Sequence, residues 1–134
     1  MKEGLLGPKV ENVNIAIVKE EQNNEITYYA YLLNLRDDIM EGIIVTSTGY
    51  GVDPQTGEKI KTSSLRHCIE LMLPNEAAKL EPLMEEVFKL ANEYWLSFWV
   101  NDVMYDKKFV FLPETIQEKN MIDIPALGKK GIII

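Results

Sequence analysis

Cysteine occurs once in these 134 residues, at Cys68, and histidine once, at His67. A single thiol forms no internal disulfide, and such usage fits a reducing compartment. One histidine beside one cysteine cannot supply the nitrogen and sulfur ligands of a zinc site, so no metal or other cofactor is expected. Arginine is as scarce, present only at Arg36 and Arg66, in a chain with 21 acidic residues and a net charge of −7. Binding to phosphate backbones needs a clustered basic face. The nearest clusters are the pairs Lys107-Lys108 and Lys129-Lys130, which excludes nucleic acid as a partner class. The acidity serves solubility instead. No window reaches the roughly 20 apolar residues of a membrane span. The opening residues, Met1 to Pro8, hold no apolar signal core. The expectation is a cytoplasmic protein with no membrane partner.

What the chain has in quantity is short apolar and aromatic runs. Its length suits one domain, residues 1–134, with an N-terminal arm over 1–9 and a C-terminal extension over 113–134. Val13, Ile15 and Ile17 alternate with Asn12, Asn14 and Ala16, the period of a half-buried strand over 10–20. Gln22-Asn23-Asn24 predicts a turn. Residues 26–35 are apolar or aromatic on both faces, which predicts a central strand. Further strands are predicted over 42–50, 60–73 (bent near Ser63-Ser64) and 77–83. Leu80, Met84, Val87, Phe88 and Ala91 fall on one helical stripe, predicting a short helical turn within 84–91. The run from Tyr94 to Leu112 carries both tryptophans and three of the four phenylalanines, parted by Asn101-Asp102. That is a hairpin with a two-residue turn at positive φ.

About seven short strands with turns every ten residues or so predict an all-β antiparallel two-sheet sandwich, with a barrel as the rival. Leu90-Ala91-Asn92-Glu93-Tyr94-Trp95 resembles the tyrosine corner of immunoglobulin-like and fibronectin-III-like sandwiches. Lys2 to Val13, Asn92-Glu93-Tyr94-Trp95 and Tyr105-Asp106-Lys107-Lys108-Phe109 together resemble a small bacterial protein family of that architecture. Some of its members carry the label of a phenylalanyl-tRNA synthetase alpha subunit. The resemblance thus implies a translation-associated accessory role. Synthetase catalysis does not follow, because a class II enzyme needs two arginine-bearing motifs, one of them glycine-rich. Arg36 and Arg66 stand in neither.

Chemistry-bearing residues are few. His67 and Cys68 are neighbours on one strand and point to opposite faces, so they form no thiolate–imidazole pair. Cys68 is expected as a small core residue. Ser47, Ser63, Ser64 and Ser97 lie outside any nucleophile-elbow motif. Thr48-Gly49-Tyr50-Gly51 is followed by Val52-Asp53-Pro54, not by a helix, so it is no phosphate loop. Carboxylates gather as Asp37-Asp38 with Glu41, Glu81 with Glu85-Glu86, and Asp102 with Asp106. No spacing among them matches a calcium loop. A glycosidase would need two such groups flanking a bond.

The final hairpin gives the best lead. Tyr94, Leu96, Phe98 and Val100 share one face of their strand, and Trp95, Ser97, Trp99 and Asn101 share the other. One face is core. The other exposes two tryptophans unless the helical turn, the N-terminal arm or the Ile132-Ile133-Ile134 tail covers it. The leading expectation is a non-catalytic binding or scaffolding module that meets a protein partner or a second copy. It would act through this aromatic face or through a strand edge. The alternative is a small hydrolase or carbohydrate-active domain using loop carboxylates, with Trp95, Trp99 and Tyr105 stacking on a sugar. No catalytic residue is assigned, because no titratable constellation of defined spacing appears.

Overall fold

Asparagine sets the tight turns. Asn23 and Asn24 take φ of 53° and 64°, and Asn101 and Asp102 take 48° and 65°. Two consecutive left-handed residues give a turn whose twist matches paired antiparallel strands. These turns fold β1 (Val13–Gln22) onto β2 (Glu25–Asn34) and β7 (Ala91–Val100) onto β8 (Val103–Phe111). The computed structural model describes residues 8–134. Its other strands are β3 (Met40–Val52), β4 (Lys59–Lys61), β5 (Leu65–Met72), β6 (Ala77–Leu83), β9 (Ile122–Ile124) and β10 (Lys129–Ile133).

Every pairing is antiparallel. One sheet runs β6-β2-β1-β10-β9. In the other, β3 pairs with β4 and β5 along one side and with β7 along the other, and β8 follows β7. The two sheets face each other as an all-β sandwich, as the alternation predicts. Val13, Ile15, Ile17, Ala30 and Leu32 meet Ile43, Val45, Tyr94, Leu96 and Phe98 across the interior. Each fully buried aliphatic or aromatic side chain contributes about 1.5–3 kcal/mol.

The strand count differs from the expected seven. The run 60–73 is two strands, β4 and β5, because Thr62 turns out to hold β3. Its N–H donates to the Gly49 carbonyl and its Oγ1 accepts from the Gly49 N–H, both at 2.8 Å. Residues 113–134 are no appendage: Ile116 and Ile124 are buried, and β10 lies against β1. Ile132 enters the main core, while Ile133, Ile124 and Leu127 pack with Ala16, Val18, Tyr31 and Leu33 on the outer side of that sheet. The two-faced apolar pattern of β2 is thereby explained, and β2 is central as predicted. The helical turn is one 3₁₀ segment, Glu85–Lys89, with Phe88 edge-on to Tyr28 at 4.9 Å. Of the expected arm, residues 1–7 lie outside the described residues, while nearby Val10 is buried. No helix among the described residues is long and apolar enough to cross a membrane.

Two features of the first sheet are testable. Gly131 sits so close to β1 that an added Cβ would lie 2.4 Å from the Ile17 carbonyl oxygen and 2.8 Å from a Val18 methyl. Backbone cannot yield there, so Gly131→Ala should cost about 1–3 kcal/mol, read as a lower urea midpoint. On the outer face, Glu20 accepts hydrogen bonds from Tyr31 and Lys79 and pairs with Lys129 at 3.2 Å. Desolvation would raise its pKa, but the bonds from Tyr31, Lys79 and Lys129 outweigh it and hold the carboxyl below the ordinary glutamate range. A lowered folded pKa gives stability that is complete above the ordinary value and lost as pH falls through the lowered one. Glu20→Gln should therefore destabilise the protein at neutral pH and flatten the acid limb of a stability–pH curve; an unchanged limb would refute this.

Candidate functional site

The alternation of β7 places its two rows without ambiguity. Tyr94, Leu96, Phe98 and Val100 are buried between the sheets. Trp95 and Trp99 are 47% and 45% exposed on the outer face of the β5-β3-β7-β8 sheet. Neither the 3₁₀ turn nor the C-terminal tail covers them, since the tail pairs in the opposite sheet. Register fixes their neighbours. Arg66, Thr46, Trp95 and Lys108 form one row across the strands. Cys68, Ile44, Ser97 and Asp106 form the next. Trp99 lies opposite Met104 and packs against the β3 bulge at Gly42, where an added Cβ would meet its Cδ1 at 3.2 Å. Gly42 has φ of 54°, so both the turn and the indole favour glycine there. The Lys108 ammonium stands 5.3 Å from the Trp95 ring centroid and 3.7 Å from Glu93.

Tyr105 does not join the tryptophans. It lies opposite Phe98 in register and stacks on it, with centroids 5.1 Å apart and planes at 3°. That puts it on the inner side of β8, under the Arg36 guanidinium at 4.9 Å. Arg36 in turn pairs with Asp38 at 2.7 Å. The three aromatic candidates thus form no single stacking platform.

A second site escapes period-two reading altogether. In β6 the register with β2 shifts between Lys79, which faces Tyr31, and Glu81, which faces Ala30. Leu80 is the extra residue of a bulge. Without it, Lys79 and Glu81 would share a face. With it, Lys79 stays outside over the Tyr29 ring (3.9 Å) and Glu81 turns into the space between the sheets. There one Glu81 oxygen accepts from Ser47 Oγ at 2.7 Å and meets His67 Nε2 at 2.6 Å; the other accepts from Tyr94 OH at 3.3 Å. Burial, reinforced by the Glu81 charge, pushes the Tyr94 phenol far up, so it serves as a neutral donor. Ser47, Glu81 and Tyr94 line a cleft of about 240 Å³ together with Thr62, Leu83 and Met84.

This cluster has the residue types of a nucleophile–base pair without its wiring. The Ser47 hydroxyl points to the carboxylate, and the imidazole nitrogen meets the same oxygen. Its evident work is joining the sheets: Ser47, His67 and Tyr94 belong to one, Glu81 to the other. Two expectations are corrected here. Cys68 is exposed, because the pleat that sends His67 inward sends its neighbour out. Tyr94 does not brace the corner before it. Asn92 does, donating to the carbonyls of Val87 at 2.8 Å and Leu90 at 3.1 Å. Among the described residues no group of three histidine, cysteine or acidic side chains is placed to hold a metal ion. No family model, curated protein or solved structure matches the chain.

Glu81→Gln keeps the shape but replaces one acceptor oxygen by an NH2 donor, which must face either Ser47 and His67 or Tyr94, and removes the charge. The expected loss is about 1–3 kcal/mol in chemical denaturation, with the sandwich retained by circular dichroism. A variant as stable as the parent would refute the bridging role.

Proposed function

We propose that this chain is a non-catalytic cytoplasmic binding module that engages a protein through the outer face of the β5-β3-β7-β8 sheet. The observation that carries the reading is the exposure of Trp95 and Trp99 on one flat surface with Ile44 and Met104 beside them. Aromatic and methionine side chains are enriched at the centre of protein interfaces. Monomeric proteins seldom leave such residues contiguous in water. The exposed thiol of Cys68 supports a reducing compartment. The strand order β1-β2-β6 opposed to β5-β3-β7-β8 supports an immunoglobulin-like reading of the fold, with β9 and β10 added beside β1. The carbohydrate-active alternative draws less from the geometry. Tyr105 faces away from the tryptophans, and both oxygens of the cleft carboxylate Glu81 are already engaged.

A photo-reactive benzoylphenylalanine at Thr46, between Trp95 and Arg66 on the face, tests the reading in the native cell. A second at Lys130, in the opposite sheet, is the control. Protein adducts should form from Thr46 and fall at least about tenfold in the Trp95→Ala/Trp99→Ala variant, with its sandwich shown intact by circular dichroism. Equal adduct yields from both positions, or yields indifferent to the tryptophans, would overturn it.

A further inference from the structure

We infer that the occupant of this face is a second copy of the same chain, docked about a two-fold axis that lies in the interface and runs across the strands along the row Cys68, Ile44, Ser97 and Asp106. The inference rests on the binding-module reading and adds the partner's identity and register. A two-fold contact must be self-complementary, each residue meeting its mate's counterpart. The outer face offers two simple axes, and charge chooses between them.

An axis along the strands would exchange β5 with β8 and keep each row at its own height. Arg66 would then face the partner's Lys108, since both occupy the row of Thr46 and Trp95. Like charges opposed at an interface are strongly unfavourable. An axis across the strands keeps each strand over its own counterpart, antiparallel to it, and exchanges the rows on either side. On β5 this puts Arg66 opposite the partner's Glu70, two residues beyond Cys68 and exposed on the same face. The contact occurs twice, once for each copy. On β7 it puts Trp95 opposite the partner's Trp99, again twice. Ile44 meets Ile44 at the centre. On β8, Asp106 faces its own copy, with Lys108 one pleat repeat away, about 7 Å, to bridge it. Lys108 balances Glu93 at the same rim.

The chain carries −7 overall, which opposes association in general. This face, though, interleaves Arg66 and Lys108 with Glu41, Glu70, Glu93 and Asp106 around an apolar middle. The two-fold pairing of Arg66 with Glu70, made twice, offsets part of that repulsion.

Sedimentation velocity of the whole chain under reducing conditions tests this. The parent should show a concentration-dependent monomer–dimer equilibrium. Arg66→Glu sets Glu against Glu at two symmetric contacts and should weaken the dimer at least about tenfold. The swap Arg66→Glu/Glu70→Arg should restore it. A bifunctional maleimide with a spacer of about 10 Å gives an independent readout, since Cys68 lies on the proposed axis and facing sheets stand about that far apart: a Cys68–Cys68 cross-link should form within the dimer and diminish with Arg66→Glu. A parent that stays monomeric at all concentrations, a dimer indifferent to Arg66→Glu, or a swap that fails to rescue would each overturn the inference. The arms also separate it from the reading beneath it. A monomeric parent whose Thr46 photo-probe still captures a different protein sinks the two-fold dimer alone; a monomeric parent with no adduct sinks both.

Discussion

The pairing of β3 with β7 governs the rest of the molecule. Val45 lies opposite Leu96 and Ser47 opposite Tyr94, so the inward rows of both strands interlock as one surface. The Gly42 bulge shifts the register between Glu41 and Ile44, which brings Met40 and Ile43 both into the interior. β7 carries aromatic side chains on both faces, and a sheet at the side of a two-layer sandwich has one buried face to give it. Tyr94, Leu96 and Phe98 take that face because they fill the interior opposite Ile15, Ile17 and Leu32. The tryptophans are left outside by the pleat. A one-residue slip would exchange the rows and bury two indoles in place of three medium side chains, which a close-packed interior resists.

The polar intrusions into the interior, Asn34 and Glu81 among them, are arranged so that burial leaves them satisfied. Asn34 is fully buried, yet its amide donates to the carbonyls of Asp38, Met72 and Leu73, and its oxygen accepts from the Arg36 N–H. One side chain thus ties the end of β2 to the approach to β3 and the end of β5. Glu81 does the corresponding work between sheets. A buried carboxylate without partners would be very costly, and three partners from the opposite sheet make its burial tolerable. No buried side-chain polar atom among the described residues is left without a hydrogen bond. This is why the Ser47–His67–Glu81 cluster reads as a clasp: its hydrogen-bonding capacity is spent on itself.

How much of this was legible in the sequence follows from which interactions are local. The Asn101-Asp102 turn, the inward row of β7 and the central place of β2 are written in residue type and period, and the structure keeps them. Period-two reading fails where the backbone breaks period two. The Leu80 bulge inverts Glu81, so a carboxylate that groups with Glu85 and Glu86 in sequence joins Ser47, His67 and Tyr94 in space. The expected C-terminal extension over 113–134 holds two strands that its sequence does not announce, for a different reason. β9 and β10 are short and take their definition from β1, far away along the chain. Cys68 was misplaced because a small apolar type says less about burial than the face its strand assigns it. Tyr105 was grouped with the tryptophans by chemistry, while its register with Phe98 sends it inward.

The strand edges bear on why the outer face, and no edge, is the surface proposed for association. A free edge invites another strand, and natural sheets blunt it with charge, proline, bulges or brevity. β8 carries Asp106, Lys107 and Lys108 in succession along its free edge. β6 carries Lys79, the Leu80 bulge and Pro82. β9 has three residues, and on the far side of β3 the edge is broken between β4 and β5 at Thr62–Ser64. Each edge therefore meets one of the known obstacles to strand addition. The outer face of the β5-β3-β7-β8 sheet meets none: its tryptophans are presented, one braced on Gly42 and the other beneath Lys108, in a geometry fixed by the core behind them. Side chains held in place before binding lose less conformational entropy on contact. That preorganisation favours this face in the proposed reading.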